Sequence, residues 1–260
     1  VHPGMRIAVT VGSRGIQNIA LIVRCVVDFL RQCGAEPFII PAMGSHGGAT
    51  AQGQTAVLHS YGVTEETVHA PIRATMEVVR IGQTEGEPAI PVFMDRYAWE
   101  ADGVVAVNRV KPHTDFHGPH ESGIVKMLTI GLGKHRQAME MHQYGAQGLR
   151  DYIQRVSRGV IRSGKILGAL GTVEDGHDNT SRVALARGED IFTLDAQMLE
   201  QARQSMARLT FTDLDLLIID CMGKNFSGTG LDTNVIGRLC IRGQADGTPN
   251  CRRIVTLDLS

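Results

Sequence analysis

The chain has 260 residues, 43% hydrophobic and 20% charged, and its 26 basic side chains nearly cancel its 27 acidic ones to leave a formal net charge of −1. That is enough sequence for one large core or two modest ones. It excludes the basic footprint of a nucleic-acid binder, and no apolar run is long enough to predict a membrane span, so the expected partner is a small molecule.

In chain order, Arg6–Val11 (RIAVTV) predicts a strand that stops at Gly12-Ser13-Arg14-Gly15. Apolar residues at helical spacing over Ile19–Cys33 predict a helix closed by Gly34. Glu36–Pro41 predicts a second strand, which opens into Met43–Thr50 (MGSHGGAT) and then a helix over Ala51–Tyr61. Later strands are predicted at Glu77–Ile81, Gly103–Val107, Ile166–Val173 and Leu214–Asp220, and helices near Ser122–Ile130, Gln147–Ser163 and Asp195–Arg208. This β-α-β rhythm predicts an α/β fold with a parallel sheet. A boundary is expected around Arg203–Thr212, where a fresh hydrophobic strand (LDLLIID) begins. It divides an N-terminal α/β domain, 1–205, from the start of a second, smaller α/β domain, 206–260, which is expected to be incomplete or else to add its strands to the first sheet.

Cys25, Cys33, Cys221, Cys240 and Cys251 form no CxxC pair and lie mostly in apolar runs, which predicts buried thiols and a reducing, cytoplasmic setting. A chain that begins at Val1 is expected to have lost something upstream.

Open parallel sheets gather ligands at the carboxyl ends of their strands. Arg14, His46, the Lys111 and His113 pair, and Lys224 each follow a predicted strand. A guanidinium at Arg14 offers a rigid fork for a carboxylate or phosphate, against the plain reading of a surface turn. His46 in GSHGG has glycines on its C-terminal side that let a ligand approach closely, and an imidazole there suits proton transfer near neutral pH. The densest stretch is Asn108–His142, with five histidines and three lysines. Pro112 would aim Lys111 and His113 the same way in an extended segment. His117 and His120 lie in a Gly-Pro turn and read as solvated, as does His135. Lys126, among Ile124, Val125, Met127 and Leu128, is either a snorkelling lysine or a partly buried amine with altered reactivity, and His142 is either a core histidine or a ligand. GLGKH fails the P-loop spacing, and neither HExxH nor GxSxG occurs.

Together, GSRGI, PAMGSHGGAT, NRVKPHTDF, ESGIVKM, IGLGK with its later histidine, and GKNFSGTG resemble the nickel-pincer-dependent lactate racemase family of 2-hydroxyacid racemases and epimerases. The resemblance covers nearly the whole chain and is closest to a divergent branch with the KPHT and GSHGG wording, so it implies a substrate class and not lactate itself. It implies an isomerase of two α/β domains with the site between them, the second lacking a C-terminal portion here. The implied cofactor is a nickel-pincer nucleotide, pyridinium-3,5-bisthiocarboxylic acid mononucleotide nickel, supplied by dedicated biosynthesis proteins. By motif match Lys126 would anchor it through a thioamide, and His142, 16 residues further on, would complete the nickel coordination, a donor set that suits a later transition metal. His46 and His113 would be the two bases that exchange the hydroxyl proton while hydride passes to and from the cofactor through a 2-oxo acid. Arg14 and Lys224 would hold the substrate carboxylate, Lys111 would pair with phosphate, and Gly47 and Gly48 would admit the cofactor. Extra residues between His113 and Lys126 make His117 a rival for the second base. Two other readings stay open: a zinc or iron hydrolase built on the histidines, and a non-catalytic small-molecule or phosphate-binding module.

Overall fold

The structure is a computed structural model that describes residues 1–13, 15–239 and 245–260. Its strands are β1 (Arg6–Val11), β2 (Glu36–Pro41), β3 (Val78–Gln83), β4 (Pro91–Asp95), β5 (Gly103–Arg109), β6 (Ile166–Glu174), β7 (Thr180–Ala186), β8 (Asp213–Leu214), β9 (Leu217–Met222), β10 (Asn250–Cys251) and β11 (Ile254–Leu259). The main sheet has the order β2-β1-β5-β6-β7. Its first four strands run parallel, and β7 returns antiparallel along β6.

Successive residues of a strand face opposite sides, and here both sides are covered. Ile7, Val9 and Val11 enter a core with Ile19, Val23, Val27 and Leu30 of the helix Ile19–Gln32. Ala8 and Ala106 enter another with the helices Ile153–Arg162 and Asp190–Ser205. Burial on both faces is why β1 reads as a continuous apolar run. The helical stripe Ile19, Val23, Val27, Leu30 follows the 3.6-residue period, and full burial of each is worth about 1.5–3 kcal/mol. Cys25 falls off that stripe and is exposed, and of the four described cysteines only Cys251 is buried. Apolar neighbours in sequence are not neighbours on a helix face, which corrects the expectation of mostly buried thiols. Cys240 lies outside the described residues.

The α/β fold with its parallel sheet is the one expected. Several boundaries differ. The strand expected at Leu214–Asp220 is split into β8 and β9, which pair in parallel with β10 and β11 and, among the described residues, not with the main sheet. β3 forms an antiparallel hairpin with β4, a strand not expected from sequence. The helix expected at Ser122–Ile130 begins only at Ile124 and passes at once into a π-helical turn, Met127–Gly131. There the Leu132 N–H reaches back five residues to the Met127 carbonyl at 2.9 Å. The helix Lys134–His142 follows. No helix among the described residues is long and apolar enough to cross a membrane.

Candidate functional site

The carboxyl ends of β2, β1 and β5 lie side by side in the sheet, and the loops leaving them touch. After β2 the chain turns at Gly47, where φ is +64° and a Cβ would lie 2.5 Å from the Gly53 carbonyl carbon, so only glycine fits. At Gly48 a Cβ would meet nothing within 4 Å. His46 Nδ1 meets Ser13 Oγ from the loop after β1, and Tyr61 donates to the Ser13 carbonyl at 2.8 Å. The same loop abuts the Lys126 segment: a Cβ on Gly12 would lie 3.1 Å from Asn108 Oδ1 and 3.2 Å from Met127 Cε. Arg14, the expected clamp, lies outside the described residues.

The loop after β5 is closed at its neck by the Lys111 N–H donating to the Ser122 carbonyl at 2.7 Å. Inside it, His113 Nε2 meets Lys126 Nζ, and both sit beside the fully buried Phe116, with ring centroids 4.4 Å apart for His113 and Phe116 and Nζ 5.8 Å from the Phe116 centroid. The Asp115 N–H donates to His113 Nδ1 at 3.0 Å. With Nδ1 taken up by that bond, Nε2 is the ring nitrogen turned to the lysine.

Two buried carboxylates hold this loop. Glu121 accepts from the His113 N–H at 2.6 Å, the Gly118 N–H at 3.1 Å and Arg203 at 2.7 Å, and pairs with His117 Nδ1 at 3.2 Å. Asp195 accepts from the Ile124 N–H at 2.6 Å and pairs with His120 Nδ1 at 2.9 Å. His120 is buried, not solvated: the Gly-Pro turn folds inward onto the Asp190–Ser205 helix, where its ring packs edge-on against Phe192. Gly123 permits this approach, since a Cβ there would lie 2.2 Å from Asp195 Oδ1.

Behind the His46 loop sits Lys134, the lysine of GLGKH, with no exposed surface. Its Nζ donates to the Pro41 carbonyl and to Gln54 Oε1 at 3.0 Å and pairs with Asp95 Oδ2 at 3.1 Å. With its oxygen turned to the lysine, the Gln54 amide donates to the Gly44 carbonyl at 2.9 Å and to the His46 carbonyl at 3.3 Å. Burial pushes Lys134 down and Asp95 up from their ordinary values, each opposed by the partner's charge.

The segment after residue 206 reaches the site through the short helix Thr233–Ile236. Thr233 Oγ1 donates to the Thr114 carbonyl at 2.7 Å and Asn234 Nδ2 to the His113 carbonyl at 3.0 Å. Lys224 is exposed on the turn after β9, in the two-stranded sheet rather than the main one. His142 is exposed at the end of its helix, which removes the reading of a core histidine, and His135 is exposed within that helix. Among the described residues no group of three or more His, Cys, Asp and Glu converges to hold a metal ion by itself. Sequence reasoning missed Glu121, Asp195, Gln54, Lys134, Thr233 and Asn234. Only Lys134 carried a local signal, a lysine in a glycine-rich run that fits no phosphate loop.

A family described as a domain of unknown function (DUF362) matches residues 12–236. No curated protein matches the sequence. Among solved structures, the chain is similar to the lactate racemase apoprotein from Thermoanaerobacterium thermosaccharolyticum, with a TM-score of 0.56 and 15% identity over 84% of this chain and 54% of that one. The likeness is one of fold, and the chain spans about half the length of that protein.

Proposed function

We propose, for a chain that belongs to the DUF362 family, that it is an isomerase of 2-hydroxyacids working by reversible hydride transfer through a 2-oxo acid on a nickel-pincer nucleotide. The observation that carries this reading is the meeting of His113 and Lys126 at the end of β5, beside the His46 loop at the end of β2. It joins a nucleophilic amine to proton carriers at the end of a parallel sheet of the kind seen in a lactate racemase. The donor chemistry supports the cofactor: sulfur and carbon donors would come with the nucleotide, so a single imidazole, His142, would be enough to complete the nickel. A mononuclear zinc or iron hydrolase needs three protein ligands, and among the described residues no group of three converges.

When bound, the cofactor would supply the hydride acceptor. Lys126 would hold it through an amide-type bond at Nζ, Lys111 would pair with its phosphate, and Gly47 and Gly48 would admit it. Arg14 and Lys224 grip the substrate carboxylate and keep the 2-oxo acid from leaving. His46 takes the hydroxyl proton of one enantiomer and His113 that of the other. The Lys126 contact bears on the second of these roles: His113 Nε2 and Lys126 Nζ meet, so fixing the lysine at the cofactor would also fix the imidazole beside it.

The test is to co-express the chain with cofactor-biosynthesis proteins, measure intact mass and nickel, and follow single enantiomers of 2-hydroxyacids by chiral chromatography. The expected result is a mass adduct with stoichiometric nickel, lost in Lys126→Ala, and conversion of one enantiomer to the other. Unmodified mass without nickel, or activity tracking stoichiometric zinc, would overturn the reading.

A further inference from the structure

We infer that Thr233 and Asn234 are positioning residues of His113, supplied by the segment after residue 206; the inference deepens the function proposed above and rests on His113 being a proton carrier. The loop after β5 is gripped from two sides. On one, the His113 N–H is held by Glu121, itself paired with Arg203. On the other, the carbonyls of His113 and Thr114 are held by Asn234 and Thr233. His113 is therefore fixed at both its amide hydrogen and its carbonyl, so the Cα that carries the imidazole has little freedom to swing its ring away from Lys126.

The grip is oriented. Asp232 Oδ1 accepts from the Asn234 N–H at 3.0 Å and from Asn234 Nδ2 at 3.1 Å, which decides that the nitrogen end of the amide faces His113. Thr233 and Thr114 are both buried, so water does not compete for their bond. The turn is braced from behind at Gly237, where φ is +72° and a Cβ would lie 2.1 Å from the Pro249 carbonyl oxygen, in the segment leading to β10. Two bonds that only pinned a surface loop could land anywhere between Lys111 and Gly123; both land on the carbonyls of His113 and of the residue that follows it. The family match extends through Ile236, and so includes this turn while stopping short of β10 and β11.

The experiment compares Thr233→Val, which keeps shape and loses the hydroxyl, Thr233→Ser, which keeps the hydroxyl, and Asn234→Asp, which turns an oxygen toward the His113 carbonyl. In the full, unloaded chain, amide hydrogen exchange is read over 111–118 and the His113 imidazole is titrated by NMR. Thr233→Val should exchange about fivefold faster in that loop and shift the His113 titration midpoint, with Asn234→Asp larger in both, Thr233→Ser near wild type, and exchange in β1 and β6 unchanged. A purely structural fastening would leave the imidazole titration where it was. In cofactor-loaded protein given lactate as the probe, kcat should fall with KM held. Wild-type His113 titration in both Thr233→Val and Asn234→Asp, whatever the loop exchange, would overturn the inference, and if Asn234→Asp fails to fold the two threonine variants decide it. Loaded wild type that never alters stereochemistry, beside a His113 titration that does move in Thr233→Val, would sink the isomerase reading and leave the positioning standing.

Discussion

Replacing Lys134 with Met removes an ammonium from a fully buried site while keeping an unbranched stem to fill it. The backbone at 134 has φ +54°, and Met inherits that conformation, so the comparison isolates the charge. Two acceptors lose their donor, Gln54 Oε1 and the Pro41 carbonyl, and Asp95 Oδ2 loses its ion-pair partner. Breaking one partner out of a buried pair costs about 3–5 kcal/mol, because the other charge stays buried without compensation. Asp95→Asn should cost a similar amount while keeping the 3.0 Å bond from the Ala98 N–H that caps the next helix. The double variant buries no net charge, so its loss should fall short of the sum by about 1–3 kcal/mol. Urea unfolding of the four proteins measures this, with the m-value constant if the compactness of both states is kept. Single losses under about 1 kcal/mol, or strict additivity in the double variant, would refute the claim of a coupled buried pair. The pH dependence gives an independent check. Burial lowers Lys134 below its ordinary 10.5, so between the folded value and 10.5 the unfolded chain holds a proton that the folded chain has released. Stability from this group therefore rises with pH across that window, and Lys134→Met should lose the rise.

Glu121→Ala should cost about 1–3 kcal/mol for the buried donors it strands and speed hydrogen exchange over 113–121, with Glu121→Gln intermediate; unchanged exchange in the alanine variant would mean the loop is held by other contacts. For the His113–Lys126 contact, Lys126→Met should move the nitrogen-15 chemical shifts of the His113 ring in the unloaded chain; shifts identical to wild type would remove the proposed link between Lys126 and the base.

What was legible in the sequence was what local pattern encodes. β1 and β2 are apolar runs that end at punctuating glycines or prolines, and both bury nearly every residue, so their limits match expectation residue for residue. β7 was missed because it alternates half-buried and exposed positions as an antiparallel edge, a pattern that reads as ordinary polar chain. The reactive-looking residues His46, His113 and Lys126 were visible by type and setting. Their supports were not. Glu121 reaches Arg203 across 82 residues, Asp195 reaches His120 across 75, and Asn234 reaches His113 across 121. No window of sequence shows a carboxylate or amide whose purpose is to hold a distant loop. His120 was misjudged for the same reason, since only Asp195 tells it apart from a solvated turn residue.

The π-helical turn at Met127–Gly131 turns chain length into a register. Deleting one residue from it would remove the bond from the Leu132 N–H to the Met127 carbonyl and displace Lys134, two residues further on, from its buried pocket. It would also pull the Leu132 carbonyl from the N–H of Asp95, met at 2.7 Å, the residue whose carboxylate pairs with Lys134 behind His46. The count of residues between the amine of Lys126 and that pair therefore sets how the two walls behind the site are spaced, and a change of one would put them out of step.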